Sequence, residues 1–145
     1  MDKKLHVGII GRDQLTLNYS LEDGKISAFE VKALGCYEFL KKVETLKTLL
    51  NQPLDSLELP PGDKHEDMLV RELILKLKGQ WVFPYTDEEL CHCRVVPTSI
   101  VDQAVLSGAH GVESVSRKTS AGTGCGTCKK DIESVISYRT LSENK

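Results

Sequence analysis

Cys91, Cys93, Cys125 and Cys128 stand as C-x-C and C-x-x-C, with residues 94 to 124 between the two pairs. No other feature restricts the folding of this chain so strongly. Thiolates are soft ligands, and four of them converging on one point match either an iron–sulfur cluster or tetrahedral zinc. The fifth cysteine, Cys36, lies far upstream with no partner at metal-binding spacing.

The 145 residues suffice for one ordinary domain or two small ones. Hydrophobic content of 40% and charged content of 28% are globular values, which argues against wholesale disorder. A formal net charge of -2 gives no global attraction to nucleic acid or anionic membrane. The start, Met1-Asp2-Lys3-Lys4, lacks the apolar core of a signal peptide, and no run approaches a transmembrane helix. The expected setting is a reducing cytoplasm, where paired cysteines bind metal or do redox chemistry more often than they form structural disulfides.

The period of hydrophobicity divides the chain. Residues 5 to 34 alternate as strands do: Leu5, Val7 and Ile9, then Leu15, Leu17 and Tyr19, then Phe29, Val31 and Ala33. Asp23-Gly24 between the last two runs signals a hairpin, since both residues readily take positive φ. The period then changes to 3.6. Phe39, Leu40, Val43, Leu46, Leu49 and Leu50 form one stripe on a helix near 37–51 that Pro53 stops, and Met68, Leu69, Leu73, Ile74 and Leu77 form another. The expectation is an α+β fold: a three-stranded antiparallel sheet covered by helices in a domain of residues 1–80. Residues 81–86 read as a packed aromatic linker around Trp81 and Phe83. Residues 87–145 read as a small all-helical domain, with one helix opened by Pro97-Thr98 and marked by the apolar stripe Ile100, Val101, Ala104 and Val105, a short one around Val112 and Val115, and a third beginning near Cys128. So small a core needs a staple, and metal is the usual one.

Cys125 and Cys128 sit in the glycine-rich run Gly122-Thr123-Gly124-Cys125-Gly126-Thr127-Cys128, which leads into a helix. Glycines let backbone N–H groups approach sulfur, and a helix N-terminus favours an anionic cluster. Together with Glu89-Leu90-Cys91-His92-Cys93, Val96 and Ile100, this run resembles the bacterioferritin-associated-ferredoxin-like 2Fe–2S domain, also the central module of NifU-type proteins. The resemblance covers roughly residues 87–138 and implies a 2Fe–2S cluster held by Cys91, Cys93, Cys125 and Cys128. Structural zinc on the same cysteines is the competing reading. His92 is expected beside the ligands or simply exposed to solvent, but not among the ligands. Lys129 and Lys130 form a basic pair at the helix start.

More faintly, residues 15–78 resemble the NifU/IscU-type scaffold domain. The quoted segments are the strand-to-helix corner Phe29-Glu30-Val31-Lys32-Ala33-Leu34-Gly35-Cys36, and Leu59-Pro60-Pro61 followed by His65. That family holds a transient cluster on three cysteines, an aspartate and a histidine. Here Cys36 matches the middle cysteine, Asp13 the aspartate and His65 the histidine. The first cysteine falls near Gly11, and Glu66 replaces the third. One thiolate among hard donors is poor for a cluster, though Asp13, Cys36, His65 and Glu66 would suit a single Zn or Fe ion if they converge. Otherwise Cys36 is a small core residue in a fold whose assembly role has lapsed.

The function expected is that of a non-enzymatic one-electron carrier, or an accessory in iron–sulfur assembly and iron handling, with a redox or assembly protein as partner. Alternatives are a working assembly scaffold and a zinc-stapled adaptor. The chain carries no P-loop, nucleophile elbow or zinc-protease motif.

Overall fold

The computed structural model describes residues 2–84, 89–91, 95–121 and 128–140, with only the backbone of Cys91. The chain splits into two units, Met1–Pro61 with Glu66–Trp81, and Gly62–His65 with Val82–Lys145. Among the described residues, no helix is long and apolar enough to cross a membrane.

The first unit begins with three antiparallel strands, β1 (Lys3–Gly8), β2 (Gln14–Glu22) and β3 (Lys25–Leu34), in the order β1-β2-β3. Asp23 at φ 52 and Gly24 at φ 75 make the β2–β3 turn, so the hairpin closes with both central residues in the left-handed region. On the central strand Leu15, Leu17 and Tyr19 are buried, while Thr16, Asn18 and Ser20 face the other way, half exposed. Register places Leu5 against Leu17 and Val7 against Leu15, and on the other side Val31 against Leu17 and Ala33 against Leu15. One face of the sheet is therefore apolar across all three strands, as the alternation requires.

Two helices follow, α1 (Tyr37–Leu49) and α2 (His65–Leu77), with a single 3₁₀ turn at Leu54–Ser56 between them. Phe39, Val43 and Leu46 are the buried stripe of α1. Leu40, expected in that stripe, is 37% exposed. The α1 seam is thus narrower than its composition suggests. Helix α2 is instead buried nearly all round: Glu66, Arg71 and Glu72 join its apolar residues inside. Charges at such positions need partners. Arg71 Nη1 donates to the Pro60 carbonyl at 2.8 Å, and Lys76 Nζ meets a Glu72 carboxylate oxygen at 2.5 Å. Lys42 on α1 pairs with Asp67 on α2 at 2.9 Å.

The second unit opens with a feature that corrects the all-helical expectation. Strands β4 (Glu89–Cys91) and β5 (Val96–Pro97) pair antiparallel as a small hairpin. Strands of three and two residues are too short to show a period, so periodicity could not reveal them. Helices α3 (Thr98–Leu106), α4 (Val112–Thr119) and α5 (Lys129–Thr140) follow. Their shared core includes Leu90, Val101, Val105, Val115, Ile132 and Val135. Ile100, placed in the apolar stripe of α3 by its spacing, is 45% exposed. Helix α3 is tied to α5 by Arg139, whose Nε and Nη2 donate to the two carboxylate oxygens of Asp102, each at 2.7 Å.

The aromatic connector is packed where it is described. The Lys76 ammonium stands 5.5 Å from the Trp81 ring centroid. Within the second unit, Phe83 meets Tyr138 edge to face at 6.2 Å, and the Val82 N–H donates to the Tyr138 hydroxyl at 3.0 Å. Tyr85 and residue 86 of the expected linker lie outside the described residues.

Candidate metal centres

The two cysteine-bearing segments of the second unit are anchored in one apolar core. Leu90 and Val96, which flank the C-x-C pair, are 1% and 5% exposed. Ala121 and Cys128, which flank the glycine-rich loop, are 0% and 7% exposed and belong to the same cluster of packed residues.

The entry to the glycine-rich loop is built by side chains on α4. Ser120 caps the helix in the left-handed region at φ 68. Ser116 Oγ donates to the Ala121 carbonyl at 2.7 Å, and the Ala121 N–H donates to Thr119 Oγ1 at 3.1 Å. The exit is Cys128, buried immediately before α5, with its carbonyl accepting from the Ile132 N–H at 3.0 Å. The first turn of α5 thus starts at the Cys128 thiol, and a helix N-terminus is a favourable neighbour for an anionic group. Beside the other pair, Val95 takes φ 52, a conformation β-branched residues rarely adopt, which marks a tightly constrained turn. Cys128 is not in a disulfide. Cys93, His92 and Cys125 lie outside the described residues, as does the Cys91 side chain. A soft, buried donor at a helix start, with residues flanking both segments in one apolar core, fits an iron–sulfur group.

Asp13 and Cys36, which the sequence singled out separately, meet within the first unit. Asp13 closes the β1–β2 connection, where the Ile9 N–H donates to the Asp13 carbonyl at 2.7 Å. Cys36 is the residue before α1, and its N–H donates to Asp13 Oδ1 at 2.8 Å. His65, expected at the same site, is the first residue of α2 and belongs to the second unit. Asp13 is 2% exposed, whereas Cys36 is half-buried and so is not the small core residue that its isolation suggested.

Glu66 follows His65 on α2 and is buried. Successive helical residues project about 100° apart, so His65 and Glu66 are poorly placed to serve one ion from the same helix.

The corner leaves room only for glycine at position 35. A Cβ there would stand 2.8 Å from Phe39 Cδ2 and would overlap Asp13 Oδ1 outright. The aspartate is short and held by the Cys36 N–H, so it cannot swing away cheaply. Gly35→Ala is expected to destabilise the first unit by about 1–3 kcal/mol, measured by urea unfolding. A change within a few tenths would mean that the Asp13–Cys36 contact is dispensable.

Residues 90–137 match the family of BFD-like 2Fe-2S binding domains. The chain is also 30% identical over 99 residues to a nitrite reductase NAD(P)H large subunit from Klebsiella oxytoca. That stretch is 66% of this chain but 10% of the nitrite reductase subunit, so the chain spans a small part of its relative. No solved structure matches, and the scaffold-type resemblance of the first unit finds no support there. Residues 90–137 form a BFD-like 2Fe-2S binding domain, and the cofactor that belongs to this part of the chain is a 2Fe–2S cluster.

Proposed function

We propose that the protein is a one-electron carrier whose 2Fe–2S cluster is held by Cys91, Cys93, Cys125 and Cys128, and that it serves a redox or iron–sulfur assembly partner. The observation that carries this reading is the common core under both cysteine pairs: Leu90 and Val96 on one side, Ala121 and Cys128 on the other. When bound, the cluster supplies a centre that takes up and releases single electrons. The chain's own part is to hold the sulfurs rigidly and keep water from them. Ser116 and Thr119 fix the start of the glycine-rich loop, and the first turn of α5 directs backbone dipoles toward Cys128. Such a role makes and breaks no substrate bond, so the protein is read as a non-enzyme.

Reduction of the anaerobically prepared protein with dithionite tests this role. A paramagnetic signal integrating to one spin per cluster, with visible bleaching that reverses on reoxidation, is expected. A protein that takes up no electron would contradict it.

A second reading takes Asp13, Cys36 and His65 as ligands of a single ion, and the Cys36 N–H held on Asp13 Oδ1 within the first unit supports it. A thiolate, an imidazole and a carboxylate suit one divalent zinc or iron ion, with a fourth position left to water or an exogenous ligand. Three donors with a single sulfur do not suit a cluster, so the set supports mononuclear binding over cluster building. With the 2Fe–2S site filled, calorimetry is expected to show one equivalent of zinc bound. Cys36→Ala and His65→Ala should each weaken it by at least about tenfold while the visible spectrum stays unchanged. Unaltered zinc binding in both variants would remove this second site.

A further inference from the structure

The outermost strand β3 (Lys25–Leu34) is ten residues long and pairs on one side with β2. Its other edge meets Pro53 at Lys25 in an isolated bridge. From Ala28 to Leu34, no strand pairs with that edge among the described residues. The irregularity in the β2–β3 ladder lies at Ser20/Leu21, so Ala28–Leu34 is regular β structure. A long, regular edge of this kind is a template for another strand.

The side chains of this segment match themselves in reverse. Ala28, Glu30, Lys32 and Leu34 are exposed on one face, and Leu34 is 73% exposed. Phe29, Val31 and Ala33 lie half-buried on the other. We infer that β3 pairs antiparallel with β3 of a second copy of the chain about a two-fold axis at Val31, joining the two sheets into one of six strands. In that register Glu30 faces Lys32 of the second copy and Lys32 faces its Glu30. Bulk is matched as well: Phe29 faces Ala33, and Leu34 faces Ala28. The pair needed for this already stands on one face, with Lys32 Nζ 3.7 Å from Glu30 Oε1 and the two side chains 74% and 50% exposed. Being exposed, both remain available to the second copy.

The other edge of the sheet lacks this property. Strand β1 exposes Lys3, Lys4 and His6. Pairing it with itself about Leu5 sets Lys4 against His6 in both copies and offers no opposite charge, the pattern of a protected edge.

Charge reversal tests the inference on the full cluster-loaded chain by sedimentation equilibrium. The wild type is expected to show a monomer–dimer equilibrium. Glu30→Lys and Lys32→Glu each place like charges opposite one another twice in the interface, and each should weaken dimerisation by at least about tenfold. An equimolar mixture of the two variants restores opposite charges at both positions and should form a heterodimer of near wild-type affinity. Far-ultraviolet circular dichroism and the visible spectrum should be unchanged in both. A wild type that sediments as a monomer throughout, a dimer indifferent to both reversals, or a mixture that stays monomeric would each overturn the inference.

Discussion

Cys128→Ser is expected to yield a protein without the visible absorption of a 2Fe–2S cluster. Cys128 is the one proposed ligand whose side chain is described, and it is 7% exposed within the apolar core of the second unit. A serine there replaces a soft, ionisable donor with a hard hydroxyl that rarely deprotonates, so one of four sulfur positions is lost. The helix itself should survive locally. Serine is a favoured residue before a first helical turn, and the Cys128 carbonyl that accepts from Ile132 is backbone. Colour loss with α5 retained by circular dichroism would therefore isolate a ligand's role from a packing role. Because cluster binding adds to the stability of the folded unit, the same variant should melt at a lower temperature than the loaded wild type. Cys36→Ser provides the contrast, since Cys36 lies in the first unit beside Asp13. Its visible spectrum should match the wild type, and bleaching there would reassign the cluster.

The second large effect concerns the clasp between α3 and α5. Arg139 is 4% exposed and its guanidinium forks onto both oxygens of Asp102 at 2.7 Å, with the Phe83 ring centroid 6.0 Å from its central carbon. Arg139→Ala leaves the Asp102 carboxylate without its bidentate partner and removes packing from Phe83. Breaking one side of such a buried pair costs roughly 3–5 kcal/mol, comparable to the whole stability of a unit this small. The variant should hold its cluster poorly and melt early in thermal scans followed by visible absorption. A double replacement, Asp102→Leu with Arg139→Met, removes both charges together and should recover much of the loss. A melting temperature unchanged in Arg139→Ala would show that the core alone supports α3 on α5.

That clasp also shows where the sequence stops being readable. Asp102 and Arg139 are ordinary surface-type residues 37 positions apart, and nothing in their surroundings announces that the fold buries them as a pair. By contrast Asp23-Gly24 named its turn outright, because few residue pairs accept positive φ twice. The alternation of Leu15, Leu17 and Tyr19 and the stripe of Phe39, Val43 and Leu46 likewise translated directly into buried faces. Leu40 and Ile100 misled, because periodicity gives the direction of a face and not its width. The β4–β5 hairpin was beyond reach at two and three residues per strand.

The candidate sites followed the same logic. Spacing alone singled out Cys91, Cys93, Cys125 and Cys128, since paired thiols are rare enough to carry information. Asp13 and Cys36 were suggested by a faint resemblance, and only the fold of the first unit brings the Cys36 N–H onto Asp13 Oδ1. Glu66, next to His65 in sequence, is poorly placed to share an ion with it because successive helical residues diverge.

Iron, acid-labile sulfide and zinc counted on one anaerobic preparation test the central claim most directly. Two irons and two sulfides per chain in the second unit's site, with zinc no higher than the single equivalent that the Asp13 group would bind, is the expected result. Zinc at the four-cysteine site with no labile sulfide, in protein also refractory to reconstitution with iron and sulfide, would contradict it.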